Sequence, residues 1–449
     1  MVGRFASERV TVIGLAVAGR AAAEVLASEG ADVVVTEARD VADLGELASL
    51  RALGIEIRAG GHEPAHLDGA DWVFTSPGVP ATAPPILWAR ARGLQVRGEL
   101  ELGTDLARAP LLAVTGTNGK TTTAGMLAAC LRAAGLDAVA CGNIGHPFPA
   151  AARGDHDALV VECSSFQLAQ QTSFHPRISA LLNVAPDHLD WHGSFDAYLE
   201  AKAAIFARQE GDDVHVGNGD DPVAAGVSSR ARCRVVWYRL GEPEEGEVGY
   251  VGGELVARLD GEVRLGPIDA ARAGYQADAA AAAAAALSFG IEVGAVAAGL
   301  ARFEPARHRG DVVAVVEGVR FIDNSKATNV HAALAAIDGV QGAVLIAGGH
   351  AKGVDLSPLA TRWQRLRAVV AIGEAADQVE DAFRDLLTVH RAASIEAAVA
   401  VARELAGPGG TVLLAPACAS WDMFSGYEER GERFAAAARA LTHGAKARG

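Results

Sequence analysis

The chain has 449 residues, half of them hydrophobic, with a formal net charge of −15. That length accommodates about three domains with substantial cores. The acidic balance argues against a nucleic-acid or membrane-surface partner, so a phosphate site must be locally basic or built from backbone N–H groups. No apolar run is long enough to span a membrane. Cys130, Cys141, Cys163, Cys233 and Cys418 are scattered and never form a C-x-x-C pair, which reads as a reduced, cytoplasmic protein.

In chain order, the first hundred residues alternate β-branched runs with alanine-rich helical stretches. "RVTVIGL" is followed by a helix from Ala18 to Gly30, then by "ADVVVTEA" and "ADWVFTSPGVP". This is βαβ patterning with a parallel sheet. The first turn, "GLAVAG", keeps Gly14 and Gly19 but has Ala16 at the middle glycine of the dinucleotide fingerprint, which disfavours a nicotinamide dehydrogenase. Glu37, at the end of the second strand, is a candidate for holding a ribose. Ser76 and Gly78 offer themselves to an anionic group at the same sheet mouth, or form a plain turn with Pro77.

A second unit opens with "PLLAVTGTNGKTT", which spells strand, loop, helix. Gly116 and Gly119 let N–H groups turn inward around an anion, the helix start adds a positive dipole end, Lys120 brings a mobile charge, and a threonine hydroxyl can reach Mg²⁺. The pattern is shorter than a full P-loop because Val114 stands where another glycine is usual, yet a nucleotide is the expected ligand. Downstream, "ALVVECSS" places Glu162 at a strand end, suited to Mg²⁺, and "NVAPDHLDWH" ends another strand with Asp187, His188, Asp190 and His192, of which His188 is the metal-ligand candidate. In "FDAYLEAKAAIF", Lys202 falls inside the apolar stripe of a helix. It either snorkels to the edge or is a desolvated, reactive amine. Residues 239–266 read as a hairpin excursion and the run Ala279–Ala286 as a helix ended at Gly290.

A third unit opens with "DVVAVVEGVRFIDNSKATN" and carries "GAVLIAGGH", "AVVAIG" and "TVLLAPACAS". The loops after these strands collect Lys326, Thr328, Lys352 and Ser420 into a cationic, hydroxyl-bearing pocket suited to a small dianion. Cys418 lacks a local base and reads as a packed thiol, and Ser425 with Glu428 as a capping box. The fold class is therefore α/β, with a Rossmann-like N-terminal domain (1–109), a P-loop central domain (110–309) and a Rossmann-like C-terminal domain (310–449).

"GTNGKTTT", "GNIGHPF", "ECSSFQL", "LNVAPDHLDWHGSFDAYLEAKAAIF", "SKATN", "GGHAKG" and "PACASWDMFSGYEERGERF" together resemble the Mur ligases, most closely the glutamate-adding branch, and the likeness runs from the first strand to the last helix. The resemblance implies an ATP-dependent amide ligase of peptidoglycan precursor synthesis, a monomer, that joins D-glutamate to UDP-N-acetylmuramoyl-L-alanine through an acyl phosphate. It implies that Gly116, Thr117, Asn118, Gly119, Lys120, Thr121 and Thr122 hold ATP, with Arg309 and Asn324 facing the nucleotide. Thr121 and Glu162 would serve one Mg²⁺, and His188 with a carbamylated Lys202 a second, Asn143 being nearby. The uridine substrate would lie near Gly14, Gly19, Glu37, Ser76 and Gly78, and D-glutamate would meet Thr328, Lys352, Ser420 and Tyr427. The chain departs from the family where H-N-x-x-N is usual beside the adenine and "YQADA" stands from Tyr275 to Ala279. It also reads Asp323 then Asn324 before "SKATN", and one family hydroxyl or glycine within the first turn is replaced in "GLAVAG". The alternatives are another ligase of the family, including the folylpolyglutamate type, or a P-loop ATPase switch.

Overall fold

The computed structural model describes residues 3–268, 275–304 and 307–446. Three sheets succeed one another along the chain. The first has the spatial order Glu56–Arg58, Asp32–Thr36, Arg9–Ile13, Trp72–Thr75, Gln95–Arg97, all parallel. The strand order reverses beside Arg9–Ile13, so the crevice at the carboxyl ends opens over the Gly14 turn and the Ser76 loop, where an open α/β sheet takes its ligand.

The second sheet has nine strands. From one edge it runs Ala138–Gly142, Ala158–Glu162, Leu111–Thr115, Ile178–Leu181, Val214–Asn218, Arg234–Tyr238 and Glu247–Val251 in parallel. Glu254–Ala257 and Val263–Pro267 then add an antiparallel meander, so the expected hairpin excursion extends this sheet. Leu111–Thr115 and Ala158–Glu162 are buried at every residue, as strands covered by helices on both faces must be. The helix Gln276–Ser288 is alanine from 279 to 286, and all eight of those residues are fully buried, because short side chains let it lie close against the helix Lys120–Ala133. These two sheets share one compact unit, residues 1–184 with 196–303.

A neutral polar cluster lies inside this unit. Ser179 Oγ donates to Gln209 Oε1 (2.6 Å), so it accepts from His215 Nδ1–H (2.7 Å), and His215 Nε2 accepts from Ser228 Oγ (2.9 Å). Burial lowers His215 from its ordinary value of 6.5 to about 3. The folded state therefore keeps this imidazole neutral while the unfolded chain takes up a proton below pH 6.5, so stability is present above that pH and is lost progressively as the pH falls toward 3. Between pH 7 and pH 5 the loss from this group is about 2 kcal/mol. Denaturant titrations are expected to show it, and His215→Gln is expected to flatten the dependence; an unchanged slope in the variant would exclude His215 as its source.

The second unit comprises 185–195 and 304–449. Its sheet runs Asp311–Val316, Val319–Asp323, Thr411–Leu414, Ala343–Gly348, Leu366–Ile372, Val389–Arg391. The opening run, expected as the start of a βαβ unit, instead folds as an antiparallel hairpin. Glu317 (φ 49°) and Gly318 (φ 82°) supply the two left-handed residues that a tight hairpin turn requires. The other strand pairs are parallel. Among the described residues, no helix is long and apolar enough to cross a membrane.

Candidate active site

The glycine loop leaves a fully buried strand at Thr115 and enters the helix at Lys120. Gly119 has φ 84°, and a Cβ there would lie 2.2 Å from Asp278 Oδ1, so both the backbone and the space require glycine. Asn183 holds the loop from below. Its carbonyl accepts Thr117 N–H (3.0 Å), its Oδ1 accepts Asn118 N–H (2.8 Å), and its Nδ2 donates to Asn118 O (3.1 Å). Asp278 Oδ1 accepts from Thr123 Oγ1 (3.0 Å), so the departing segment "YQADA" brings a carboxylate against the loop. Lys120 Nζ folds back on the Gly116 and Thr117 carbonyls (2.9 and 3.0 Å), contacts that a phosphate can replace.

Lys202 is 1% exposed, which rules out snorkelling. Its Nζ donates to Gly116 O (2.7 Å) and stands 4.7 Å from the centre of the Tyr198 ring, whose hydroxyl pairs with Thr117 Oγ1 (2.9 Å). The expected helix residue is thus part of the phosphate loop's wall. Glu162 ends its strand fully buried. Asn143 Nδ2 donates to its Oε1 (2.8 Å), while its Oε2 has no hydrogen-bond partner. An orphaned, buried carboxylate oxygen is what a divalent cation would satisfy, so these residues fit Mg²⁺. Among the described residues no three His, Cys, Asp or Glu side chains converge. That suits an ion which takes only one or two protein carboxylates and completes its shell with hydroxyl, water and phosphate oxygens.

At the mouth of the first sheet, Gly14 (φ 84°) makes the turn. A Cβ on Gly19 would lie 2.0 Å from Gly14 O and 2.6 Å from Ser76 Oγ, which donates to Gly14 O (3.1 Å). Glu37, the ribose candidate, already has its oxygens filled: Oε2 accepts Leu15 N–H (2.7 Å) and Oε1 accepts Arg39 N–H (3.0 Å), with the Arg39 guanidinium on both. Burial opposes the charge, yet Arg39 and these N–H groups lower its pKa to about 2. Here Glu37 pins the turn, and Arg39, which the sequence reading passed over, is the charge at its rim. Gly78 faces open space.

In the second unit the three motif loops follow the adjacent strands Val319–Asp323, Thr411–Leu414 and Ala343–Gly348, and they interlock. Ala417 N–H donates to Ala327 O (2.9 Å), Gly348 N–H to Pro416 O (2.8 Å) and His350 N–H to Ala419 O (3.0 Å). Thr328, Lys352 and Ser420 lie on these interlocked loops, and Lys326 Nζ lies 3.7 Å from the centre of the Tyr427 ring. Asn324 starts its loop with N–H to Leu414 O (2.9 Å), beside Asp323, whose carboxylate takes Ser325 N–H (2.9 Å) and His308 Nδ1 (2.7 Å) next to Arg309.

Three features of this unit were not legible in the sequence. Lys352 is buried and pairs with Asp187 (2.5 Å), which also accepts from Asn329 Nδ2 (3.1 Å). Burial would raise Asp187, but the Lys352 ammonium, with His188 and Asn329, outweighs it and holds the carboxyl below its ordinary range. His188, in the left-handed region at φ 52°, lies 3.8 Å from Asp187 and belongs to this unit rather than to the one with Lys202. Arg430 is fully buried and donates to Ser325 Oγ (3.0 Å), Ser325 O (2.8 Å) and Cys418 O (3.1 Å), clamping two motif loops, and burial lowers its pKa to about 10. The expected capping box is corrected: Ser425 N–H and Oγ–H both donate to Glu429 Oε2 (2.7 Å), because the helix starts only at Tyr427 and the fourth residue on, not Glu428, turns back. Cys418 is a packed thiol, pushed up to about 12 by burial.

Residues 8–98 match the Mur ligase MurD-like N-terminal domain, 114–251 the Mur ligase middle domain, and 308–418 the Mur ligase glutamate ligase domain. The chain belongs to the Mur ligase family. As a Mur ligase it is an ATP-dependent enzyme that forms amide bonds. It is 41% identical over 447 residues to a UDP-N-acetylmuramoylalanine-D-glutamate ligase of Pelotomaculum thermopropionicum, covering 97% of this chain and 98% of that one. An enzyme of the same name from Frankia casuarinae is 44% identical over 444 residues, covering 96% and 94%. The UDP-N-acetylmuramate-alanine ligase of Thermotoga maritima shares the Mur ligase fold, with a TM-score of 0.60 at 18% identity over 96% of this chain and 99% of that one.

Proposed function

We propose that this Mur ligase joins D-glutamate to UDP-N-acetylmuramoyl-L-alanine in peptidoglycan precursor synthesis, with domains spanning 1–109, 110–309 and 310–449. The carrying observation is the interlocked loops of the second unit, which bring Lys352, Thr328 and Ser420 to three adjacent strand ends in a chain that also holds a phosphate loop. A nucleotide switch needs no such set of loops. The relatives' shared name supports the choice of substrates.

On this reading the substrate's terminal carboxylate attacks the γ-phosphorus of ATP, ADP leaves, and an acyl phosphate forms. The deprotonated amine of D-glutamate then attacks the acyl carbon, phosphate departs, and the nitrogen loses one of its two protons to leave the amide N–H. The loop N–H groups and Lys120 hold the phosphates, the Gly14 and Ser76 loops with Arg39 hold the uridine nucleotide, and Lys352 and Thr328 orient glutamate. Thr121 and Glu162 would hold Mg²⁺, with a carbamylated Lys202 offering further oxygens, and the ion would supply charge neutralisation on the phosphates.

The test is phosphate release with UDP-N-acetylmuramoyl-L-alanine and ATP while the amino acid is varied. Release that depends on D-glutamate is expected, and equal release without any amino acid would refute the reading. In the same assay Lys352→Ala is expected to raise the KM for glutamate at least about tenfold with the ATP KM kept, as loss of a ground-state contact does. The variant also leaves Asp187 buried without its cation, a cost of about 3–5 kcal/mol. Lys352→Ala/Asp187→Asn should regain the stability but not the KM; a KM restored together with the melting temperature would assign Lys352 to structure alone.

A further inference from the structure

The helix Glu99–Leu106 follows the last strand of the first sheet and carries two buried carboxylates, Glu99 and Glu101. Glu101 accepts the N–H groups of Gly98 (3.1 Å), Thr172 and Ser173 (3.3 Å), which accounts for it as a clasp on a neighbouring turn. Glu99 does something else. Its Oε1 accepts Phe148 N–H (3.0 Å) and its Oε2 accepts Gln167 Nε2–H (2.7 Å). Gln167 in turn offers its Oε1 to Ser164, accepting both the backbone N–H (2.7 Å) and the hydroxyl (2.8 Å), while Ser164 Oγ accepts Gln167 N–H (3.2 Å). Ser164 stands two residues beyond Glu162, whose Oε2 is the orphaned oxygen.

Hydrogen-bond polarity makes this chain directional. The backbone N–H of Ser164 can only donate, so Gln167 turns its oxygen toward Ser164 and its NH₂ toward Glu99 Oε2, whose carboxyl burial raises against the pull of the Gln167 and Phe148 bonds. That oxygen is what Ser164 N–H needs, and Ser164 fixes the exit of the strand Ala158–Glu162. We infer that Glu99 is a positioning residue for the phosphoryl-transfer site: through the Gln167 amide and Ser164 it sets where Glu162 presents its free oxygen. The inference rests on the reading of Glu162 as the cation's carboxylate.

Glu99→Gln tests it without changing shape. The introduced amide has one acceptor and one donor end, yet Phe148 N–H and the Gln167 NH₂ both need acceptors. Whichever way that amide turns, one donor faces another, and if Gln167 flips to relieve this it sets its NH₂ against Ser164 N–H. The measurement is Mn²⁺ binding by electron paramagnetic resonance in the presence of ADP, with melting temperature alongside. Glu99→Gln is expected to weaken Mn²⁺ binding about tenfold, the size of effect seen for groups that orient a metal ligand. Gln167→Met, which keeps the shape but removes the amide that links Glu99 to the Ser164 N–H, should weaken it similarly. The exchange Glu99→Gln/Gln167→Glu restores every polarity. The amide then at position 99 takes Phe148 N–H on its oxygen and donates its NH₂ to the carboxylate at position 167, whose other oxygen takes Ser164. Mn²⁺ binding should return to within about twofold of wild type.

Unchanged Mn²⁺ binding in a folded Gln167→Met, or an exchange variant that regains its melting temperature but not its affinity, overturns the inference. These hold even if Glu99→Gln alone fails to fold. Glu162→Gln separates the two levels: if it binds Mn²⁺ like wild type, the reading of Glu162 fails, whereas if it loses the ion while Glu99→Gln and Gln167→Met keep it, only the relay fails.

Discussion

Lys120→Ala is expected to abolish ligation, with kcat falling by at least about three orders of magnitude, because several kcal/mol of transition-state stabilisation on the transferring phosphoryl group are lost. The geometry predicts that the fold survives. The ammonium donates to the loop carbonyls of Gly116 and Thr117, and the lysine opens a helix of 14 residues whose buried side chains are others. The loop keeps its three bonds to Asn183 and its glycine at 119 when Lys120 is replaced. Circular dichroism and melting temperature should therefore match wild type while phosphate release disappears. A folded variant that still ligates at a comparable rate would remove Lys120 from the mechanism and with it the assignment of the loop.

Lys202→Ala is expected to lose most activity while still folding, with partial rescue by acetate or formate. The side chain is buried to 1% exposure, and desolvation pushes an amine toward its neutral, nucleophilic form. A neutral amine adds CO₂ to become a carbamate, which turns a cation into an anion carrying two oxygens, a donor set suited to Mg²⁺. The nitrogen of a carbamate keeps one N–H, so the bond to Gly116 O at 2.7 Å is compatible with the modified side chain, and the new oxygens would extend from the wall of the phosphate loop. A small carboxylate can occupy the space left by alanine and supply similar oxygens. Labelling with ¹³C-bicarbonate should give a carbamate carbon signal in the wild type that is absent from Lys202→Ala. A fully active Lys202→Arg variant, or a wild type without that signal, would return Lys202 to a structural part beside Tyr198.

The sequence by itself determined the parts that depend on neighbours along the chain. The turn of "GTNGKTTT", the strand that enters it and the helix that leaves it are set by glycine conformation, β-branched runs and helical periodicity, all local in the chain. The same is true of Glu162 at a strand end and of Lys202 on an apolar helix face. It also showed that "SKATN", "GGHAKG" and "PACAS" each follow a strand. Parallel strands place such loops at one sheet edge, so their meeting was legible before any coordinates.

What only the tertiary structure decided is which polar groups satisfy one another across long separations. Asp187 is 165 residues from Lys352, and nothing in either local pattern selects that pairing; it follows from two buried charges that must find each other once water is excluded. Glu37 looked like a free ribose ligand because the sequence does not show that the Leu15 and Arg39 N–H groups point at it. Arg430 and Glu99 carry no local signal of a role, yet each is buried among donors or acceptors contributed by distant loops. Residue type and spacing govern backbone conformation, which is local, whereas the polarity of a buried hydrogen bond is fixed by whatever the packed fold brings opposite it.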